Sequence, residues 1–260
     1  MRRAAALGLG LWLACLAAPA AARVQVRVDG AVARPGIVDL KDAARLSDAA
    51  LAAQVQPGAY MLGAAWLQPS QVPAQQRLKA GVLFDLDSLH LRALQRGDMP
   101  LAALAAGLRG WIAAMPVTGR VPALLDPRPV EADAAANRPL QDGDRLFYPS
   151  RPATIRVVGA VQQPCTLSFV PMQDARLYLR GCARAAHADR DWLYVIEPNG
   201  RVYRRGMALW NRAKPLPLAP GALVYLPLSM HETQAIDPAF NHDLAAFLAT
   251  QPLPGPGAAP

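Results

Sequence analysis

Residue patterns typical of enzymes are absent from this 260-residue sequence. It contains no G-x-S-x-G nucleophile motif, no H-E-x-x-H zinc motif and no phosphate-binding G-x-x-x-x-G-K-[ST] loop. A zinc site needs several convergent ligands, whereas the four histidines lie far apart without ligand spacing: His90, His187, His231 and His242. The sequence therefore predicts no catalytic residue, no metal site and no cofactor.

Carboxylates occur in three close pairs, Asp85/Asp87, Asp142/Asp144 and Asp189/Asp191. A glycosidase places two carboxyl groups across a cleft, ~5 to 9 Å apart. Residues two apart on a helix diverge, which disfavours the first pair. The second pair flanks a turn glycine, where aspartate is common, and the third has the pattern of a loop. Pairs formed across the fold stay open.

Arg120 is the main anion-binding candidate. It directly follows Gly119, at the start of a predicted strand. A guanidinium can hold a carboxylate or a phosphate through two parallel hydrogen bonds, which suits an acidic sugar or a lipid-linked phosphate. The alternative is a structural ion pair with Asp126 or Glu131.

Three aromatic residues, Trp66, Trp210 and Tyr225, could stack on sugar rings. Aromatic residues in strands more often belong to the core, however. The positive net charge of +8 suits anionic partners such as acidic glycans. Nucleic acid is not expected, because the Lys and Arg residues are scattered and are not interleaved with aromatic residues.

The N-terminus has the layout of a Sec signal peptide over residues 1–22. Arg2 and Arg3 precede an apolar run over residues 4–17, and residues 20–22 form an A-x-A cleavage site. The run is short for a membrane helix, which disfavours the alternative of an uncleaved anchor. We therefore expect a periplasmic protein. Its charge is +6, because 25 basic and 19 acidic residues remain without Arg2 and Arg3.

Two cysteines, Cys165 and Cys182, remain once the signal peptide and its Cys15 are removed. In an oxidising compartment, such an isolated pair can form a disulfide bond. Two buried free thiols are the alternative. The sequence does not decide between them.

An internal repeat organises the rest of the chain. Residues 28–36 match residues 157–165 at an offset of 129, and residues 143–149 match residues 221–227 at an offset of 78. Each opening segment has the pattern of a strand, a glycine and a proline turn, and each closing segment that of an apolar strand. The difference of 51 residues predicts an insertion in the first copy.

The inserted stretch, about residues 69–118, has helical periodicity. Two apolar series follow the spacing of helix faces: Val82, Leu86, Leu89 and Ala93, then Leu101, Leu104, Leu108, Trp111 and Met115. Asp98 is a candidate N-cap for the second helix. A helical hairpin whose apolar stripes face each other is the favoured interpretation, over a membrane or cofactor role.

Each copy has the pattern strand, strand, helix, strand, strand, which is typical of an α+β, β-grasp domain. The predicted helices are Leu46–Val55 and Met172–Ala186. In the second copy, strands are predicted over residues 193–197 and 201–204, joined by a tight turn at Pro198-Asn199-Gly200. The corresponding strands of the first copy are predicted over residues 60–67 and 120–124, on either side of the insertion. The domains are expected at 23–150 and 151–230. Residues 231–260 are expected to form a C-terminal amphipathic helix and a flexible tail. Packing of this helix on its own protein is the favoured interpretation, over peripheral membrane contact or docking to a partner.

These segments together resemble the GfcC-like capsule-biosynthesis proteins. The resemblance rests on the order and spacing of several segments along the chain: residues 60–66, Gly119-Arg120-Val121, residues 137–144, Pro198-Asn199-Gly200 and Leu209-Trp210-Asn211. It implies two tandem β-grasp (SLBB-like) domains, the first with a helical hairpin insertion. These are similar to the soluble domains of outer-membrane polysaccharide export proteins, although the N-terminal export-specific domain of those proteins is missing here.

The resemblance also implies a function and a set of sites. The expected role is a periplasmic, non-catalytic accessory protein in capsule or exopolysaccharide assembly, which binds export or assembly proteins, acidic polysaccharide, or both. The glycan- or anion-binding candidates are Arg120, Trp210 and Asn211. One alternative is an enzyme acting on polysaccharide or its lipid-linked precursor, with Arg120 in an anion-binding cleft. A pore-forming export subunit is a third hypothesis.

Overall fold

The computed structural model describes residues 23–254 and contains two five-stranded sheets. The predicted signal peptide and the last six residues of the predicted tail lie outside this range. The first sheet has the order β2-β1-β5-β3-β4. Its strands are β1 (Arg23–Gly30), β2 (Gly36–Lys41), β3 (Ala65–Leu67), β4 (Arg120–Val121) and β5 (Arg145–Tyr148).

The second sheet has the order β7-β6-β10-β8-β9. Its strands are β6 (Thr154–Gly159), β7 (Cys165–Ser168), β8 (Trp192–Ile196), β9 (Val202–Gly206) and β10 (Leu223–Leu226). Each sheet begins with an antiparallel hairpin whose first strand pairs in parallel with the last strand. The sequence repeat therefore corresponds to two sheets of the same topology, which we call the first and second units.

The helices complete a mixed α+β fold, as predicted. They are α1 (Leu46–Ala53), α2 (Val72–Gln95), α3 (Met99–Ala114), α4 (Pro127–Ala132), α5 (Ala175–Tyr178), α6 (Met230–Thr233) and α7 (Phe240–Ala249). Short 3-10 turns occupy Met61–Gly63, Pro69–Gln71 and Leu179–Gly181. Within residues 23–254, no helix has both the length and the hydropathy needed to cross a bilayer.

Two predicted elements are shorter than expected. The helix predicted over residues 172–186 is reduced to α5 and the following 3-10 turn, because Cys182 returns to the second sheet, where it is bonded to Cys165. The strand predicted over residues 60–67 begins only at Ala65. The segment before it turns because the buried Tyr60 hydroxyl donates to Pro220 O, 2.9 Å away in the second unit.

The inserted helical hairpin packs on the second unit. Asp98 caps α3 by accepting a hydrogen bond from Leu101 N, as predicted. The buried residues of α2 and α3 belong to one apolar core with the second sheet, α5 and α7, whereas the first sheet forms a separate core with α1 and α4. An insertion in the first unit therefore completes the core of the second.

The buried stripe of α3 is rotated relative to the predicted one. Ala102, Ala105 and Ile112 are fully buried, whereas Leu104 and Trp111 are only partly covered. Leu104 and Trp111 line a cavity of about 440 Å³ between α3 and the end of β6. The rotation follows from packing against α2 and the second sheet together, because two neighbours bury a wider face than one.

The apolar face of α7 is covered by the protein itself. Phe240, Leu244, Phe247 and Leu248 are buried in the second core, and the helix contacts α2, β8 and β9. Membrane contact through this face would require α7 to leave its position.

A disulfide bond joins Cys165 and Cys182, whose Cα atoms lie 6.0 Å apart. It closes a loop across 17 positions. We expect the Cys165→Ala/Cys182→Ala double variant to lose about 3 kcal/mol of unfolding free energy in urea, because the unfolded chain gains freedom. Reduced wild-type protein, which keeps both sulfur atoms, is the control and should lose a similar amount. An unchanged midpoint in both samples would contradict this role for the bond.

Candidate functional site

An aromatic surface lies on the hairpin formed by β8 and β9, where Trp192 is half-buried and Tyr194 is 6% exposed. In this antiparallel pair Tyr194 lies opposite Arg204 and Trp192 opposite Gly206. Side chains two positions apart on a strand share one face, so Trp192, Tyr194 and Arg204 all project from the same side. The Arg204 guanidinium lies over the Trp192 ring, with its central carbon 3.8 Å from the ring centroid.

Trp210 extends this surface from the loop that follows β9. Its ring packs edge-on against Trp192, with ring centroids 6.3 Å apart, and is 72% exposed. The loop folds close to the strand because Gly206 has no side chain, and a Cβ there would overlap Asn211 O. We call the set Trp192, Tyr194, Arg204, Trp210 and Met230 the Trp192 groove.

The Trp192 groove contains two open cavities that share Asp189, Trp192 and Met230 in their walls. The one on the Tyr194 and Arg204 side has a volume of about 430 Å³. The one on the Trp210 side has a volume of about 470 Å³ and is also lined by Arg190. Aromatic faces, polar side chains and two guanidinium groups are thus arranged around a concave surface.

The polar groups of the groove are held by defined contacts. The buried Asp189 carboxylate accepts hydrogen bonds from Asp191 N at 2.7 Å and from Trp192 N at 3.0 Å, which fixes the start of β8. Burial raises the pKa of Tyr194, while the nearby Arg204 cation opposes the increase. Tyr194 therefore stays a neutral hydroxyl at physiological pH.

Arg120 lies elsewhere, at the junction of the two units. Its side chain is buried, and its guanidinium donates to Pro198 O and, at 2.9 Å, to Gln251 O. Burial lowers its pKa to about 10. Among the ion pairs of residues 23–254, none involves Arg120, so the alternative pairing with Asp126 or Glu131 is not observed. The Arg120 guanidinium therefore binds backbone carbonyl groups.

The other sequence candidates have different positions. Trp66 is buried and donates to Asp144 Oδ2 at 2.9 Å, and the buried Tyr225 hydroxyl donates to Asn241 Oδ1 at 2.9 Å, so both are core residues. Trp210 alone among the three aromatic candidates is exposed. The Asn211 amide nitrogen donates to Asp191 O at 3.0 Å, which anchors the loop that carries Trp210.

The three carboxylate pairs mostly serve local structure. Asp87 pairs with Arg109 on the surface, and Asp142 accepts a hydrogen bond from Gln25 N at 2.9 Å. Asp144 is fully buried, and its burial raises its pKa despite the hydrogen bond from Trp66. These contacts account for Asp87, Asp142 and Asp144, whereas Asp189 and Asp191 both line the cavity on the Trp210 side of the groove.

One group of side chains in residues 23–254 has a composition suited to metal binding, namely Asp98, His187 and Glu232. His187 Nε2 lies 3.2 Å from Asp98 Oδ1, and His187 Nδ1 lies 3.2 Å from Glu232 Oε1. His187 and Glu232 also line the Trp210 side of the groove. The separations along the chain gave no indication of this convergence.

Sequence reasoning identified Trp210 but missed Trp192, Tyr194 and Arg204. A signal was present, because Tyr194 lies on the strand predicted over residues 193–197, Trp192 directly precedes that strand, and Pro198-Asn199-Gly200 predicts the hairpin partner. Pairing the two strands through that turn would have placed Arg204 on the same face.

Comparison with known proteins shows the wider relationship. The family model described as "Capsule biosynthesis GfcC, N-terminal" matches residues 20–151, and "Capsule biosynthesis GfcC C-terminal" matches residues 163–252. A protein of Escherichia coli (strain K12) described as "Uncharacterized protein YjbG" is 31% identical over 189 residues, which is 72% of this chain and 76% of that protein.

Proposed function

Because the chain belongs to the capsule biosynthesis GfcC family, we propose that it is a periplasmic, non-catalytic accessory protein of capsule or exopolysaccharide assembly that binds glycan in the Trp192 groove. The observation that carries the proposal is the exposed Trp210 ring beside Trp192, with Arg204 over the Trp192 face. Large exposed aromatic residues on a concave surface are typical of binding sites.

The charge of the groove supports an acidic glycan as ligand. Arg190 and Arg204 line its two cavities, and a guanidinium can hold a sugar carboxylate through two hydrogen bonds. Two of the carboxylates at the same surface are engaged, since Asp189 holds Asp191 N and Trp192 N, and Glu232 contacts Arg96 and His187. Asp191, also in the wall on the Trp210 side, offsets part of the positive charge there. The sugar ring would stack on an indole face while its acid group pairs with a guanidinium.

The shared strand order supports a finer assignment of the fold. We assign each unit to the β-grasp (SLBB-like) type, because a mixed five-stranded sheet in each unit begins with a hairpin and pairs its first and last strands in parallel. This assignment, with the signal-peptide pattern of residues 1–22, supports a partner among the polysaccharide export or assembly proteins of the envelope.

The Trp210→Ala variant tests glycan binding. We expect its affinity for acidic polysaccharide purified from the producing strain to fall at least about tenfold in titration calorimetry, because tryptophan truncation removes a large stacking surface. Phe84→Ala is the matched control, since Phe84 is 71% exposed but lies on α2, away from the groove. Equal affinities for wild type and Trp210→Ala would refute the site.

A second pair of variants tests the charge. Arg204 and Arg205 are adjacent on β9 and point to opposite faces, and Arg205 donates to Lys214 O. Arg204→Ala should weaken binding of acidic but not neutral polysaccharide, whereas Arg205→Ala should leave both unchanged.

Co-purification of the wild-type protein from envelopes, with mass spectrometry, then identifies the partner. Its recovery without polysaccharide machinery would count against the accessory role.

The enzyme hypothesis has less support. Its anion-binding residue, Arg120, donates to the carbonyl groups of Pro198 and Gln251 and is only 5% exposed. Turnover of the strain's own glycan or lipid-linked precursor by purified protein, lost in Arg120→Ala, would revive it.

A further inference from the structure

Three side chains with metal-ligating atoms converge where the helical hairpin meets the second unit. Asp98 lies in the turn between α2 and α3, His187 in the loop before β8, and Glu232 in α6. One oxygen or ring nitrogen of each lies within 4.8 Å of the other two. We propose that these residues form a binding site for a first-row divalent cation, with Zn²⁺ as the best match to one imidazole and two carboxylate ligands.

The imidazole ring is placed between two acceptors. His187 Nε2 faces Asp98 Oδ1 and Nδ1 faces Glu232 Oε1, each at 3.2 Å. A neutral imidazole carries one N–H, so one of the two contacts brings a nitrogen lone pair towards a carboxylate oxygen. A bound cation turns that repulsion into coordination. Tetrahedral ligands with bonds of ~2.0–2.1 Å lie roughly 3.4 Å apart. The two carboxylates face different ring nitrogens, and only one nitrogen can bind a given cation, so the imidazole must turn or a carboxylate must shift within the 4.8 Å that separates the three ligand atoms.

Both carboxylates are already oriented by neighbouring donors. Leu101 N donates to Asp98 Oδ1 at 3.1 Å, and Arg96 Nη2 donates to Glu232 Oε2 at 2.9 Å. Hydrogen bonds of this kind, from residues that do not touch the metal, fix the orientation of the ligands in metal sites. The Arg96 contact leaves Glu232 Oε1 facing His187. The positive charge of Arg96 also repels a metal cation, so the affinity of this site for Zn²⁺ should be lower than that of sites built only from thiolates.

The site has access to solvent and an open coordination position. His187, Ser229 and Glu232 line the cavity of about 470 Å³ that also contains Trp192 and Trp210. Three protein ligands leave a fourth position for water or for an oxygen atom of a molecule in the groove. The cation would also link the turn of the inserted hairpin to the second unit, since Asp98 and the other two ligands belong to different segments.

Titration of Zn²⁺ into the exported chain, purified without a histidine tag, tests the site. We expect one equivalent to bind and the thermal unfolding midpoint to rise with zinc concentration. In His187→Ala both effects should be lost, and the affinity for Zn²⁺ should fall at least about 100-fold. Loss of a residue that only orients a ligand typically lowers metal affinity ~10–100-fold, so a larger loss identifies His187 as a ligand. Co²⁺ should give visible absorption bands in the wild type alone.

Two further variants keep the result unambiguous. Asp98→Asn retains a good N-cap for α3 but removes the charge, so it should weaken zinc binding without unfolding the chain even if His187→Ala does not fold. His231→Ala is the matched control, because His231 is exposed and adjacent to Glu232. Zinc binding that is absent in the wild type, unchanged in Asp98→Asn, or lost in His231→Ala would overturn the proposal.

Discussion

Gly159→Ala is expected to destabilise the second unit strongly. Gly159 ends β6 with a φ of +96°, and a Cβ there would overlap Leu226 O on the neighbouring parallel strand and lie 2.6 Å from the Tyr225 ring. The left-handed backbone alone costs an L-residue ~1–2 kcal/mol. Separating β6 from β10 adds to this, so we expect a loss of at least about 4 kcal/mol, against a typical total of ~5–15 kcal/mol.

The first unit provides an independent copy of this test. Gly30 has a φ of +97°, and its Cβ would overlap Tyr148 O. Gly30→Ala should therefore be as harmful as Gly159→Ala. Gly36→Ala is the control, because Gly36 also has a positive φ, of +126°, but has no atom within 4 Å of its Cβ position. It should cost no more than about 2 kcal/mol.

Urea unfolding followed by far-ultraviolet circular dichroism measures all three glycine variants. The overlap with a carbonyl oxygen, and not the positive φ, should separate Gly30→Ala and Gly159→Ala from Gly36→Ala. If the free energies of unfolding of Gly159→Ala and Gly36→Ala differ by less than about 1 kcal/mol, the repeated glycine is not needed for the close approach of the two strands.

Arg120→Ala is expected to lower the free energy of unfolding by about 3 kcal/mol. Its guanidinium links β4 of the first unit to Pro198 O in the β8–β9 turn and to Gln251 O after α7. Removing it leaves buried carbonyl groups without a donor, and hydrogen bonds to charged groups contribute ~1.5–3 kcal/mol each. The pKa of about 10 keeps the group cationic at neutral pH, so the full contribution is present there.

Two substitutions and one binding measurement complete this test. Arg120→Lys keeps the charge but cannot reach both carbonyl groups as a planar fork, so it should recover only part of the loss. Arg109→Ala, which removes an exposed ion pair with Asp87, should cost less than about 1 kcal/mol. Below its unfolding temperature, Arg120→Ala should bind acidic polysaccharide as the wild type does. Unchanged stability with lost binding would instead assign Arg120 to an anion site.

Local features of the structure were predictable from the chain. The repeated glycine and proline at residues 30 and 35, and again at residues 159 and 164, predicted two opening hairpins because these residues dictate backbone conformation wherever they occur. The two helices of the insertion were predicted from apolar spacing and from Asp98, which caps α3. The family was also identified from such segments.

The sites were less predictable than the elements. Trp210 was identified, but its partners Trp192 and Arg204 depend on the strand pairing of β8 and β9. Arg120 was singled out by its sequence position, yet its role at the unit junction depends on Pro198 and Gln251, which are 78 and 131 residues away. Every residue carries a backbone carbonyl group, so no pattern of residue types could have identified these partners of Arg120.

The chain alone indicated the opening strands and turns of the two sheets, the two inserted helices and the apolar face of α7, because those properties arise from neighbouring residues. Only the folded protein decided that the hairpin inserted in the first unit covers the second, and that Asp98, His187 and Glu232 meet there. The hydrophobic effect is non-directional: an apolar stripe must be buried, but it does not encode its partner. Contacts between distant residues follow from packing the whole chain at once.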